Sequence, residues 1–303
     1  MLVFAGFASS ALARGGDRPR PDLVITNAGA GGSQYTFRGL DATLSVHYAT
    51  KNKGRARAER SRSVTALLPE FAGRDPRKHE LSAHRVPALR PGDSDRGGGT
   101  FDFSTGDLPL GAYDVEVCAD YFDKVAEEHE GNNCTSTDRE FYVVKEDWDG
   151  SVSGDGVVAG APHAEKWHSG QADLIFGKYL GGGAFRYDFS GVVQWTDNGT
   201  NSGGCTYTGS GSKRINENNS GPGITLDYGK ANYRGTEALD SRFYTIFVSG
   251  FSYCTTNLDG PVAVDFMQIP AQPVRPLRFN QNELTGTFSE PGVEGTTWNW
   301  DFG

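Results

Sequence analysis

A period of two runs through this chain. Apolar and polar residues alternate over one short run after another, as they do in a strand with one buried face. Leu44, Val46 and Tyr48 alternate with Thr43, Ser45 and His47, and Tyr113, Val115 and Val117 form a second series. Phe185, Tyr187, Phe189, Gly191, Val193 and Trp195 fall on one side of a long run, with Arg186, Asp188, Ser190 and Gln194 on the other. Ile224, Leu226 and Tyr228 repeat the pattern, as do Val262, Val264 and Phe266, and finally Trp298, Trp300 and Phe302. No window carries the i, i+3, i+4, i+7 stripe of a long helix. With 41 Gly, 18 Phe, 12 Tyr and 5 Trp against 2 Met, the composition suits strands joined by turns. The expected fold class is all-β.

The length of 303 residues corresponds to two domains of roughly 150 residues each. In the first, strands are expected at Leu23–Thr26, at 43–48, at Val64–Leu68, around Phe101 and Phe103, at Tyr113–Val117 and at Phe141–Val144. Asn52-Lys53-Gly54 and Arg90-Pro91-Gly92-Asp93 mark turns. Seven or so short strands in about 120 residues is the pattern of an immunoglobulin-like β-sandwich over 21–144. Tyr113 reads as a tyrosine corner.

Residues 145–161 are rich in Asp, Gly and Ser and read as a flexible linker, with Trp148 expected to pack on a neighbouring domain. A second antiparallel β domain, barrel or sandwich, is expected over 162–303, with Phe243–Cys254 as a central strand and Gly191 at a bulge or bend. The aromatic stripe 185–195 reads as core rather than the wall of a ligand cavity.

Met1–Ala13 reads as the remnant of a signal peptide, with an apolar run over Leu2–Ala8 and the small-x-small pattern Ala11-Leu12-Ala13. No other stretch approaches the roughly 20 apolar residues of a membrane span. A secreted or cell-surface location follows. It permits disulfides, and one pair in each domain favours Cys118–Cys134 and Cys205–Cys254 among the three pairings four Cys allow. The net charge of −9 argues against nucleic-acid binding.

Cys118-Ala119-Asp120 and then Val125-Ala126-Glu127-Glu128-His129-Glu130-Gly131-Asn132-Asn133-Cys134 carry a more specific signal. The spacing of Asp120, Val125, Glu127, Glu130, Asn132 and Asn133 resembles the signature of the CARDB family, the bacterial cell-adhesion-related domains. Pro21-Asp22-Leu23, Asn52-x-Gly54, Leu89-x-Pro91-Gly92 and Pro109-x-Gly111-x-Tyr113 extend the resemblance over nearly all of the first domain. The stretch Leu68–Arg85 is longer and more charged than the pattern. The resemblance implies an immunoglobulin-like adhesion module.

The hairpin has two readings. In one, Asn132 and Asn133 hold an irregular loop through backbone hydrogen bonds, with no metal. In the other, Asp120, Asp123, Glu127 and Glu130 form a calcium site. The structural reading is preferred, because the D-x-[DN]-x-[DN]-G loop is absent. Signals for catalysis are weak. His79 and His84, and His163 and His168 with Glu165, are spaced i, i+5, which on a helix cannot share one zinc. No G-x-S-x-G elbow occurs, and Gly209–Lys213 has the wrong spacing for a P-loop.

One basic run, Lys51, Lys53, Arg55 and Arg57, repeats every second residue, with Arg60 and Arg62 beyond. On an extended segment the four share a face, suited to an anionic partner such as an acidic cell-wall polymer. The expected function is a secreted or cell-surface binding or adhesion module without catalytic activity or cofactor. Its partner would be a cell-envelope polysaccharide or a surface protein. The alternatives are a secreted hydrolase with its site in the second domain, and a β-barrel carrier of a small ligand.

Overall fold

The computed structural model describes residues 18–70, 78–157, 164–200, 206–215, 223–236, 247–249, 274–289 and 297–303. The expected signal remnant lies outside them, as do Cys205, Cys254, His163 and the series Val262, Val264 and Phe266. Of Phe243–Cys254 only 247–249 is described.

Among the described residues, eight strands build the first domain: β1 (Leu23–Gly32), β2 (Tyr35–Phe37), β3 (Asp41–Asn52), β4 (Ser61–Pro69), β5 (His79–Val86), β6 (Ser94–Ser104), β7 (Gly111–Cys118) and β8 (Cys134–Val144). They form two sheets, ordered β1-β3-β6 and β2-β8-β7-β4-β5. Every ladder is antiparallel except β2 with β8. The alternation seen in sequence sets the faces. Leu44, Val46 and Tyr48 of β3 and Tyr113, Val115 and Val117 of β7 are all buried, with Leu23, Leu67 and Phe141 among them. The Tyr113 hydroxyl donates to the carbonyl of Pro109 at 2.6 Å, so the tyrosine corner is present.

The second unit adds β9 (Asp147–Val157), β10 (Ala164–Gly181), β11 (Ala184–Thr200), β12 (Thr206–Ile215), β13 (Gly223–Asp227), β14 (Asn232–Thr236), β15 (Phe247–Ser249), β16 (Arg275–Pro276), β17 (Leu284–Ser289) and β18 (Thr297–Phe302). They form one antiparallel sheet ordered β16-β14-β13-β11-β10-β9-β18-β17, with β12 on β11 and β15 on β12.

Of the expected linker 145–161, residues 147–157 form a strand instead. β9 is an inner strand, bonded to β10 on one side and β18 on the other. Gly150 serves packing: a Cβ there would lie 2.0 Å from the carbonyl oxygen of Asp301 and 2.6 Å from the Phe302 ring. Trp148 is fully buried opposite Leu174. Gly191 keeps regular register with Ala172 and Ile215, and the nearby irregularity lies in β10 between Ser169 and Gln171. Asp188, on the expected polar side of β11, is also buried, where it holds Arg186 at 2.6 Å.

Aromatic rings join the two units. Tyr35 and Phe37 on β2 meet Phe176 on β10, at 5.7 and 5.0 Å between centroids. Tyr142 on β8 meets Phe185 at 5.7 Å, and the Tyr187 hydroxyl donates to the carbonyl of Lys145 at 2.6 Å. Gly111, at φ +150, lets the Phe279 ring lie where a Cβ would be, and the Asn280 amide donates to the carbonyl of Leu110 at 2.7 Å.

Candidate functional site

The hairpin between β7 and β8 is closed by the Cys118–Cys134 disulfide, as expected. Its carboxylates do work assigned in sequence to the asparagines. One oxygen of Asp120 accepts from the Val125 amide at 2.7 Å, and Glu130 accepts from the Glu127 amide at 2.8 Å. Glu127 accepts from the Leu23 amide, pinning β1 to the hairpin. The side-chain amide of Asn132 donates to Asp22 at 3.0 Å and that of Asn133 to Glu127 at 3.3 Å. The expected side-chain bonds from Asn132 and Asn133 to backbone are therefore replaced by bonds to carboxylates. Val125 is buried beside them. Burial, and then the charges of Asp120, Glu130 and Asp22, push the Glu127 carboxyl up to about 7, against the pull of the Leu23 amide. Burial raises Asp120 as well.

The basic run does not form one face. β3 ends at Asn52, and residues 53–57 bend back against 20–22, with the Lys53 amide bonded to Asp22 and the Arg55 amide to Arg20. Lys51 remains in the strand, while Arg55 turns to Glu128 at 3.2 Å. The bend breaks the period of two on which the shared face depended. His79 and His84 lie on β5, where His84 meets Asp95 at 2.7 Å and His79 meets the Phe103 ring at 6.2 Å. Asp149 and Asp173 face each other across β9 and β10, and burial and then Asp149 raise the Asp173 carboxyl.

A cleft was not foreseen in sequence. The two ends of the second sheet approach one another. Tyr233 of β14 donates its hydroxyl to the carbonyl of Thr285 on β17 at 3.2 Å and accepts from Trp300 Nε1 at 3.4 Å. The Arg275 guanidinium of β16 lies 4.2 Å from the center of the Trp300 ring. The sheet thus curls toward a barrel, and a cleft of about 710 Å³ opens where its ends meet. Its polar lining includes Tyr233, Arg275, Arg278, Gln281, Asn282 and Glu283. Gln281 is held by the Arg278 amide at 2.8 Å and the carbonyl of Glu283 at 2.7 Å. Arg38 of the sandwich donates to Asn282 at 3.2 Å. Burial lowers the Arg275 pKa, opposed by Tyr233, yet a guanidinium stays charged at neutral pH. The one signal in sequence was Arg275-Pro276-Leu277-Arg278, a basic segment whose proline fits only a sheet edge.

No curated protein matches the chain. Among solved structures, a CARDB domain from Pyrococcus furiosus in complex with di-metal ions is 21% identical, over 42% of this chain and 96% of that one, with a TM-score of 0.28. A solution structure of that domain is also 21% identical, over 42% and 98%, with a TM-score of 0.27. A β-glucosidase from Listeria innocua in complex with isofagomine is 16% identical, over 42% of this chain and 16% of that one, with a TM-score of 0.25. The family model of CARDB matches residues 20–137, which hold the two-sheet sandwich up to β8 and the whole Asp120–Asn133 hairpin, so the first domain of this chain is a CARDB-like immunoglobulin-type domain.

Proposed function

We propose that the chain is a secreted or cell-surface binding module without catalytic activity, and that its cleft holds an acidic polysaccharide of the cell envelope. The observation that carries this reading is the Arg275 guanidinium stacked on Trp300 at the cleft wall, with Arg278 beside it. Arg275 and Arg278 outnumber Glu283 along the cleft, a local excess of positive charge on a chain of net charge −9, and local positive potential draws an anion. Arg presents a planar fork that fits a carboxylate or phosphate with two parallel bonds. The side-chain amides of Gln281 and Asn282 supply polar groups that can orient hydroxyls. The interior of the curled sheet is filled by Trp148, Phe185, Tyr187, Phe189, Trp300 and Phe302, which favors a binding surface over a carrier. A hydrolase would lean on the pair Asp149 and Asp173. That pair lies outside the cleft lining, and Asp149 is exposed.

Calorimetric titration with an oligouronate and with a neutral oligosaccharide of equal length tests this. The acidic ligand should bind, and more weakly as salt rises. Arg275→Ala with Arg278→Ala should cost at least about tenfold in affinity, or about 1.4 kcal/mol. Equal binding of the neutral ligand, or full affinity in the double variant, would refute the proposal.

A further inference from the structure

The hairpin at the far end of the sandwich sheet contains two oxygen atoms that no protein group satisfies. Asp120 is 1% exposed and Asn133 6%, and Oδ1 of each is buried without a hydrogen-bond partner. Unpaired buried oxygens are costly, and each of these calls for a missing partner. The two residues flank the disulfide, at the base of one loop, where the Ala119 amide donates to the carbonyl of Asn133 at 2.8 Å. Glu127, 2% exposed, joins them: its Oε1 lies 3.3 Å from the side-chain amide of Asn133. Asp22 and Glu130 add negative charge. Among the described residues, the ion pair that this group of carboxylates makes is His129 with Asp22 at 3.7 Å, and His129 is 65% exposed at its side chain. Asp120 holds its loop position with φ +38, a backbone setting that favors Asn, Asp and Gly.

We infer that this hairpin binds a hard divalent cation of the size of calcium, through Oδ1 of Asp120, Oδ1 of Asn133 and the carboxylate of Glu127, with water completing the shell. Oxygens alone, two of them carboxylate and one neutral, are what such a cation takes. Zinc or another thiophilic metal is not favored. The nearby group of Glu116, Cys118 and Cys134 has both sulfurs in the disulfide and its carboxylate on Lys78. Because Glu127 also accepts from the Leu23 amide, the ion would fasten the first strand to the hairpin.

The test uses the full chain with calcium, magnesium and terbium as probes. Terbium should light up on excitation of tyrosine, since Tyr121 adjoins Asp120, and calcium should quench it by competition. At a hundredfold excess over its dissociation constant, calcium should raise the melting temperature by roughly 5–10 °C over chelator. Asp120→Asn and Glu127→Gln should each lose most of both signals, while the distant Asp93→Asn keeps them. Where a variant misfolds, hydrogen exchange on the wild type decides: calcium should protect residues 119–133 and the start of β1. No luminescence and no melting shift would overturn the inference. So would signals that survive both variants, or protection confined to another part of the chain.

Discussion

Asn52→Ala should be among the most damaging single changes in the sandwich, although it removes no apolar contact of note. Asn52 is fully buried and uses both ends of its side-chain amide. Its oxygen accepts from the amides of Asp22 at 3.2 Å and Gly54 at 3.0 Å. Its nitrogen donates to the carbonyls of Ala56 at 2.8 Å and Leu89 at 3.0 Å. One side chain therefore ties the N-terminal segment, the 53–57 bend and the segment before Pro91. Truncation leaves Leu89 with its bond from the Ala58 amide, but strips Asp22, Gly54 and Ala56. Each orphaned backbone group costs about 1–3 kcal/mol. Water entering beside exposed Lys53 and Arg55 puts the sum near the lower end, about 3–4 kcal/mol. Asn52→Asp should be no milder, since it sets a carboxylate oxygen against two carbonyls. Gly54→Ala should also destabilise, because its Cβ would lie 2.5 Å from backbone atoms of Arg20, Pro21 and Asp22.

Urea unfolding by far-UV circular dichroism, paired with hydrogen exchange of residues 20–26, reads the effect. Tryptophan fluorescence does not serve, because all five Trp lie at 148 and beyond and report the second sheet. A loss under about 1 kcal/mol with native slope and native protection at 20–26 would refute the reasoning, since it would mean that those backbone groups find other partners at no cost.

Replacing Cys118 and Cys134 together by Ser should cost about 3 kcal/mol in the chain-entropy account, measured as the same urea midpoint against wild type. Trp148→Ala should cost about 3–5 kcal/mol by thermal melting, because the ring is fully buried in β9. Limited proteolysis should spare Asp147–Val152, whose two neighbouring strands cover it; early cleavage there would restore the linker reading. Glu70 and Asp114 have carboxyl pKa values raised by burial and then by Glu140. Stability from such groups is full below their unfolded values, near 4, and is lost as pH rises through the raised folded ones. Glu140→Gln should therefore flatten the fall in stability between acidic and neutral pH, and an unchanged pH profile would count against it.

Strands were legible because the period of two is local, and β3, β7, β11 and β18 follow it. The hairpin was legible as a unit because its residues lie within 16 positions of one another. What failed was function hidden in texture. Glycine next to Asp and Ser reads as a linker, but Gly150 lies in β9 because a neighbouring strand comes too close for a side chain. The same composition fits a mobile tether and a tightly packed inner strand. The basic run failed for a related reason: alternation implies a shared face only while the chain stays extended, and Asn52 turns it. The cleft was illegible because it gathers Tyr233, residues 275–286 and Trp300, which only the curl of a sheet brings together.

The loss of the linker changes how binding would be read out. A flexible tether would let the sandwich and the second sheet act as separate beads, each meeting a surface on its own. Here Tyr35, Phe37, Tyr142, Phe176 and Phe185 pack edge to face or tilted across the junction, and β9 follows β8 after only two residues. The cleft is itself steadied from the sandwich side, by Arg38 on Asn282 and by the Leu110 carbonyl on the Asn280 amide. The Asp120–Asn133 hairpin lies at the opposite end of β7 from Gly111, where Phe279 packs. On the two proposals above, the sandwich would hold the cation site and the anion cleft at opposite ends of β7. A rigid spacer loses less entropy on attachment than a tethered pair, and it fixes the direction in which the cleft faces.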